Sequence, residues 1–336
     1  MSDAPALKAD TTARRGGERQ SMTQAGVGQT DLEKPGVNPL LGLFVATVGV
    51  SLAAIFIALA STPPLVTAAS RMALAVLALA PWAWARRRVL LAVSPRDKGL
   101  IVAAGLLLAL HFGTWTVSLF YTSVASSVLF VTIHPVLVAA LGWAVLGERP
   151  RTGVVVGIAL SLVGSAVIAG GDIHVGGRAL QGDLLALAGA AAFALYLLIG
   201  RAVRQRLDPI VYSTPVYAVC ALMLGLFASF TGERFGPWTA RNIALIVALA
   251  LVCTLGGHLV YNWTLRYLDA AIVSVSFLGE PVLSAALAWP ILGQAIPATT
   301  LAGGAVVLAG IYVVVRAGRA TEKRHVASRA VEGAEL

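Results

Sequence analysis

HPVLVAALGWAVLGE, residues 134–148, returns as EPVLSAALAWPILGQ at residues 280–294. The two stretches are 146 residues apart, and the same offset holds without gaps on either side. It pairs Pro135 with Pro281, Leu137 with Leu283, Ala140 with Ala286, Trp143 with Trp289 and Gly147 with Gly293. Further along it pairs Gly157 with Gly303 and Gly164 with Gly310, and upstream Tyr121 with Tyr267. An Ala/Leu/Val-rich chain matches itself at roughly one position in ten by composition alone. Matches this dense, with Trp, Pro and Gly among them, indicate a duplicated unit.

The unit is built for lipid. Apolar residues make up 58% of the chain and charged residues 12%, about half the charge of a soluble domain. A helix needs roughly 20 apolar residues to cross hydrocarbon. Ten such runs are expected, at 39–60, 64–86, 99–121, 124–147, 151–171, 181–201, 211–231, 243–264, 270–292 and 297–316. Ser61, Thr62, Pro63 and Pro64 mark a tight hairpin between the first two. The reading is an all-α membrane protein of ten transmembrane helices.

The net charge of +9 does not point to nucleic acid, because the basic residues sit in short loops between spans. With the N-terminus in the cytoplasm, one side receives Arg86–Arg88, Arg96, Lys98, Arg149, Arg151, Arg201, Arg204, Arg206, Arg266 and Arg316, with both chain ends. The other side receives Arg178, Arg234 and Arg241. Lys and Arg fix orientation in this way, so both termini are expected in the cytoplasm and the protein in the inner, cytoplasmic membrane. Residues 1–38 have no apolar signal-peptide core and are expected to be a disordered cytoplasmic tail. Residues 317–336 are expected to form a second cytoplasmic tail.

The repeat divides the chain into five-span halves, 39–171 and 181–316. Five is odd, so the second copy enters the membrane where the first leaves it, and the copies are expected to be inverted. Inverted repeats are the architecture of secondary transporters, with substrate bound near the midplane between the halves. Glycines 153, 157 and 164, with 303, 304 and 310, fit close helix packing, expected here within each half.

The P-V-L-x-A-A-L-x-W-x-x-L-G-E/Q stretches at 135–148 and 281–294, the glycine-bearing spans after them and the A-S-R-M-A-L-A run at 69–75 resemble the drug/metabolite transporter superfamily, specifically its EamA-type ten-span carriers. The resemblance covers both halves. It implies export or exchange of amino acids and other small metabolites; relatives carry nucleotide sugars or triose phosphates. Two positions depart from the pattern: Gln294 stands where Glu is usual, and span seven has Val216 and Tyr217 in place of a matching arginine.

Ionisable groups at bilayer depth cost about 3 kcal/mol or more on insertion scales and mark function. Arg71, His111, His134, His258 and Glu280 are the ones here. Pro281 cannot donate to the carbonyl of Phe277. A kink with free backbone acceptors is therefore expected beside Glu280, and His134 with Pro135 is its counterpart. Glu280 and His134 are candidates to bind substrate or a coupling proton; the alternative makes Glu280 a structural partner. Arg71 either holds a substrate carboxylate or phosphate, or pairs with Glu280 to fasten the halves together. His111 and Trp115 share a face of span three. His258 and Asn262 run along span eight beside Tyr261 and Trp263, residue types that also serve as interfacial anchors.

The chain lacks GxxxxGK[ST], HExxH, GxSxG and paired CxxC motifs, so neither ATP hydrolysis nor an enzyme activity is read. Ser126, Ser127 and His134 form no evident nucleophile–base pair. Cys220 and Cys253 read as packing residues. No cofactor or metal site is expected. The expected function is a secondary transporter that exports a small organic metabolite, such as an amino acid, by alternating access, with protons as a candidate coupling ion. A passive channel and a non-transporting scaffold are the competing readings.

Overall fold

The computed structural model describes residues 35–118, 121–122, 124–169, 177–293, 296 and 298–332. Nearly all of the expected N-terminal tail lies outside them. Helices account for the structure: α1 (Pro39–Ser51), α2 (Ala53–Leu59), α3 (Pro64–Ala85), α4 (Arg87–Ala92), α5 (Pro95–Ser118), α6 (Val124–Val131), α7 (His134–Leu141), α8 (Thr152–Ala169), α9 (Gly177–Arg204), α10 (Pro209–Phe230), α11 (Ala240–Ala248), α12 (Val260–Thr264), α13 (Ala270–Ser276), α14 (Gly279–Leu292) and α15 (Ala298–Glu332). The wider π winding occupies Gly142–Leu146 and Leu249–Leu259, the latter joining α11 to α12.

Among the described residues nine helical runs are long and apolar enough to cross a membrane. The run expected at 151–171 is the exception, an apolar helix of 17 residues at Thr152–Ile168.

Local chemistry sets the helix ends. Proline opens α1, α3, α5 and α10, at the position where its missing N–H costs nothing. Asn38 and Asp208 accept from the amides of Leu40 and Ile210, each at 2.9 Å. Ser94 accepts from the Asp97 amide and donates to the Asp97 carboxylate, a reciprocal cap. Gly147 (φ 70°) and Gly293 (φ 66°) stop equivalent helices in the left-handed conformation that favours glycine.

Contacts between loops define two ends of the bundle. At one, Arg86 reaches Asp208, Arg206 reaches Asp97, and Arg201 reaches both Glu148 and Asp269. At the other, Ser61 bonds Asn242, Glu233 caps the amides of Leu65 and Val66, and Thr122 donates to Asp183. The first is the arginine-rich end.

The helix partners obey the repeat. α5 packs on α9, and its counterpart, the π segment, packs on α1. The equivalent helices α3 and α10 pack on each other, as do α8 and α15. The α8–α15 seam is antiparallel: Gly157 meets Gly310, Ser161 donates to the carbonyl of Val307, and Gly164 meets Gly303. A Cβ on Gly157 would lie 2.6 Å from the Gly310 carbonyl oxygen, so side chains are excluded there. This corrects the expectation of packing within each half for Gly153, Gly157, Gly164, Gly303 and Gly310, which join α8 of one half to α15 of the other because these helices are each other's main partner. Gly304 faces Val282 within its own half, as expected.

Candidate substrate site

Two helices break at equivalent places. α6 gives way to α7 at Thr132–Ile133, and α13 gives way to α14 at Phe277–Leu278. Pro135 leaves the Val131 carbonyl without its helical donor, and the His134 ring supplies one through Nδ1 at 3.0 Å. Pro281 does the same to the Phe277 carbonyl, and the Glu280 amide supplies the donor at 2.9 Å. The expectation of free acceptors beside the carboxylate is corrected: a tightened turn recaptures the Phe277 carbonyl, and the His134 ring takes that of Val131. The proline breaks thereby fix where His134 and Glu280 stand.

Between the breaks lies a cavity of about 220 Å³. Arg71, His111, Trp115, His134, His258, Glu280 and Pro281 line it, with Val50, Ala53, Ile57, Phe112, Val131, Thr132, Phe193, Phe277 and Ser284. Its lining reaches from buried His258 and Phe277 to half-buried Ile57 and Ser284, toward the end opposite the arginine-rich one.

Arg71 is 4% exposed. Its guanidinium carbon sits 4.3 Å from the centre of the Phe112 ring, and its Nε and Nη2 have no hydrogen-bond partner. Arg71 and Glu280 line the same cavity, yet among the described residues no ion pair joins them. Burying a cation beside an aromatic face recovers part of its lost hydration, and the two open donors are left for something else.

The apolar wall is aromatic. Phe193 stacks on His111 at 4.5 Å and meets His134 and Phe277 edge-on, each at 5.1 Å. His258 meets Phe112 at 5.8 Å. His111 bonds the Gly189 carbonyl through Nδ1, and Trp115 Nε1 is buried without a partner. Ser284 donates to the Ser51 carbonyl at 2.7 Å, tying α14 to α1.

Asn262 does not line the cavity. It accepts from Tyr196 Oη (2.8 Å) and donates to Ser213 Oγ (3.0 Å) and Tyr217 Oη (3.3 Å), while its carbonyl accepts from Arg204 Nε. This buried layer lies on the arginine-rich side. Pro135 is buried and does not line the cavity either.

Phe112, Phe193 and Phe277 carry no ionisable group to mark them as cavity residues in the sequence. The offset of 146 carried a signal for two of them. It pairs Phe112 with His258, Val131 with Phe277 and His134 with Glu280, and all six line the cavity. Phe193 pairs with Thr47, which is outside the lining, and the repeat does not mark it.

The chain is similar to known proteins in sequence and in fold. The chain is 27% identical over 196 residues to an uncharacterized transporter of Archaeoglobus fulgidus, covering 58% of this chain and 69% of the relative. It is 28% identical over 186 residues to a probable amino-acid metabolite efflux pump of Salmonella typhimurium, covering 52% and 62%. A solved crystal structure shares the fold at a TM-score of 0.71 and 22% identity, over 84% of this chain and 98% of the other. The model of solute carrier family 35 matches residues 114–233. The model of the EamA-like transporter family matches twice, at residues 38–170 and 180–316, once over each arm of the repeat. Those two matches take in most of the chain, which belongs to the EamA-like transporter family.

Proposed function

We propose that this protein is a secondary carrier that exports a small zwitterionic metabolite, an α-amino acid or a close analogue, across the cytoplasmic membrane by alternating access. The observation that carries the reading is a buried guanidinium and a carboxylate facing one aromatic cavity without pairing. A zwitterion brings the complementary charges: its carboxylate goes to Arg71 and its ammonium to Glu280, with its side chain against Phe193 and Phe112. The name of the Salmonella relative supports an amino-acid class.

Ten spans in two inverted halves, 39–171 and 181–316, complete the reading, with both termini cytoplasmic. The antiparallel α8–α15 seam supports the inversion, since equivalent helices run oppositely only when the copies are inverted. The arginine-rich end is then cytoplasmic, and the cavity belongs to an outward-facing state. Glu280 and His134 are the candidate proton carriers, and Glu280 would also discharge the ammonium when protonated.

The test is counterflow. Purified protein in liposomes preloaded with neutral amino acids should accumulate labelled amino acid transiently and saturably. A current that rises linearly with voltage and never saturates would identify a channel, and no flux of any kind would identify a scaffold.

A further inference from the structure

A second cavity, of about 190 Å³, lies at the arginine-rich end. Its inner wall is Val138 of α7 and Ile272 of α13, and its rim carries Glu148, Arg149, Arg151 and Asp269. Val138 is one helical turn beyond His134, which lines the central cavity, so the two spaces are separated along α7 by about 6 Å of helix rise. Val138 is also the repeat counterpart of Ser284, which lines the open side of the central cavity.

One side chain bridges two of the rim residues. Arg201 of α9 donates through Nε to Glu148 at 2.9 Å, meets Asp269 with Nη2 at 3.4 Å, and donates through Nη1 to the Leu265 carbonyl at 2.8 Å. It thus ties the linker after α7 to the linker before α13, the two elements that flank the cavity. The counterparts of Arg201, Glu148 and Asp269 are Ile55, Gln294 and Ser123, none of them charged.

We propose that this cavity is the inner vestibule of the transport path, and that Arg201 is the latch that closes it in the outward-facing state. This rests on the carrier reading above and deepens it. When Arg201 lets go, Glu148 and Asp269 become free to receive the substrate ammonium, and Arg149 and Arg151 at the rim receive its carboxylate. The vestibule therefore selects the same zwitterion as the central cavity.

The experiment places a cysteine at Val138 in a chain with Cys220→Ala and Cys253→Ala. A membrane-impermeant maleimide is applied separately to each face of sealed vesicles, and counterflow of a neutral amino-acid mixture is measured on the same preparations. Val138→Cys should react slowly and only from the arginine-rich face. Arg201→Gln should speed that reaction about tenfold, the size expected for loss of charge-assisted hydrogen bonds. Glu148→Gln with Asp269→Asn should do the same, which guards against misfolding of the arginine variant. Reaction from the opposite face, or equal rates with and without the latch, overturns the vestibule even where counterflow is intact. Latch-dependent labelling in a protein with no counterflow upholds the vestibule and removes the amino-acid reading instead.

Discussion

Two walls related by the repeat are in opposite condition. Ala53 and Ile57, with buried Val50, line the open side of the central cavity, and 146 residues on stand Ile199, Val203 and Tyr196, packed in or against the core without lining it. Likewise Arg71 and Trp115 face the cavity, and their counterparts Tyr217 and Tyr261 are fully buried. The backbone plan is shared, and the side chains differ: the closed side has three tyrosines where the open side has Val50, an arginine and a tryptophan. Tyr196 and Tyr217 converge on Asn262, and Tyr261 bonds Thr47. Open and closed are thus two packings of one duplicated frame, with the closed one held by hydroxyl and amide bonds.

Arg71→Ala should break the comparison most. It removes the one guanidinium on the open wall and should lower substrate affinity by ~10–100-fold, the range for hydrogen bonds to charged groups. Binding to purified protein measures this, and an anionic substrate should suffer more than a neutral one. Equal loss for both would assign Arg71 to structure.

Glu280→Gln comes next, with about a tenfold loss by the same reasoning and a changed pH profile. An ionised Glu280 accepts the ammonium, and protonation removes that acceptor. Wild-type affinity should therefore fall toward the variant's as pH is lowered, while the variant stays flat. Parallel pH profiles would take Glu280 out of the mechanism.

On the closed wall, Asn262→Ala leaves two tyrosine hydroxyls and Ser213 short of a partner. The cost expected is ~1–3 kcal/mol, read as a lower thermal unfolding midpoint, with the central cavity's affinity changed less than by Arg71→Ala. If instead affinity collapses and stability holds, Asn262 belongs to the substrate site. The smallest effect is expected at the lipid face. Trp143 and Trp289, counterparts that are 55% and 63% exposed, should each tolerate Ala within about 0.5 kcal/mol. Unequal responses would show that the repeat's outer faces differ in environment.

Much of this was legible in the sequence. Nine of the ten expected spans, among the described residues, followed from run length and hydropathy, the two halves from a constant offset, and the charged residues that share the cavity from the cost of ionisable groups in hydrocarbon. What escaped depended on contacts between distant segments. The glycine seam looked like packing inside each half because sequence shows which positions are small, not which helix faces them. Asn262 shares a face of its span with His258, yet one turn along the axis puts Asn262 in the closed layer and leaves His258 lining the cavity. Phe193 is an ordinary apolar residue in an apolar span, and only its position at the crossing of α9 with the broken helices gives it a role. Arg201 read as one more orienting loop charge until folding brought Glu148 and Asp269 to it.

The central claim is that Arg71 and Glu280 hold the two ends of one molecule, and three ligands test it most directly. Affinities are measured for a neutral amino acid, for its amine lacking the carboxylate and for its acid lacking the ammonium, against wild type, Arg71→Ala and Glu280→Gln. Arg71→Ala should bind the amino acid no better than the amine, and Glu280→Gln should bind it no better than the acid. Both variants losing all three ligands to the same extent would contradict the account.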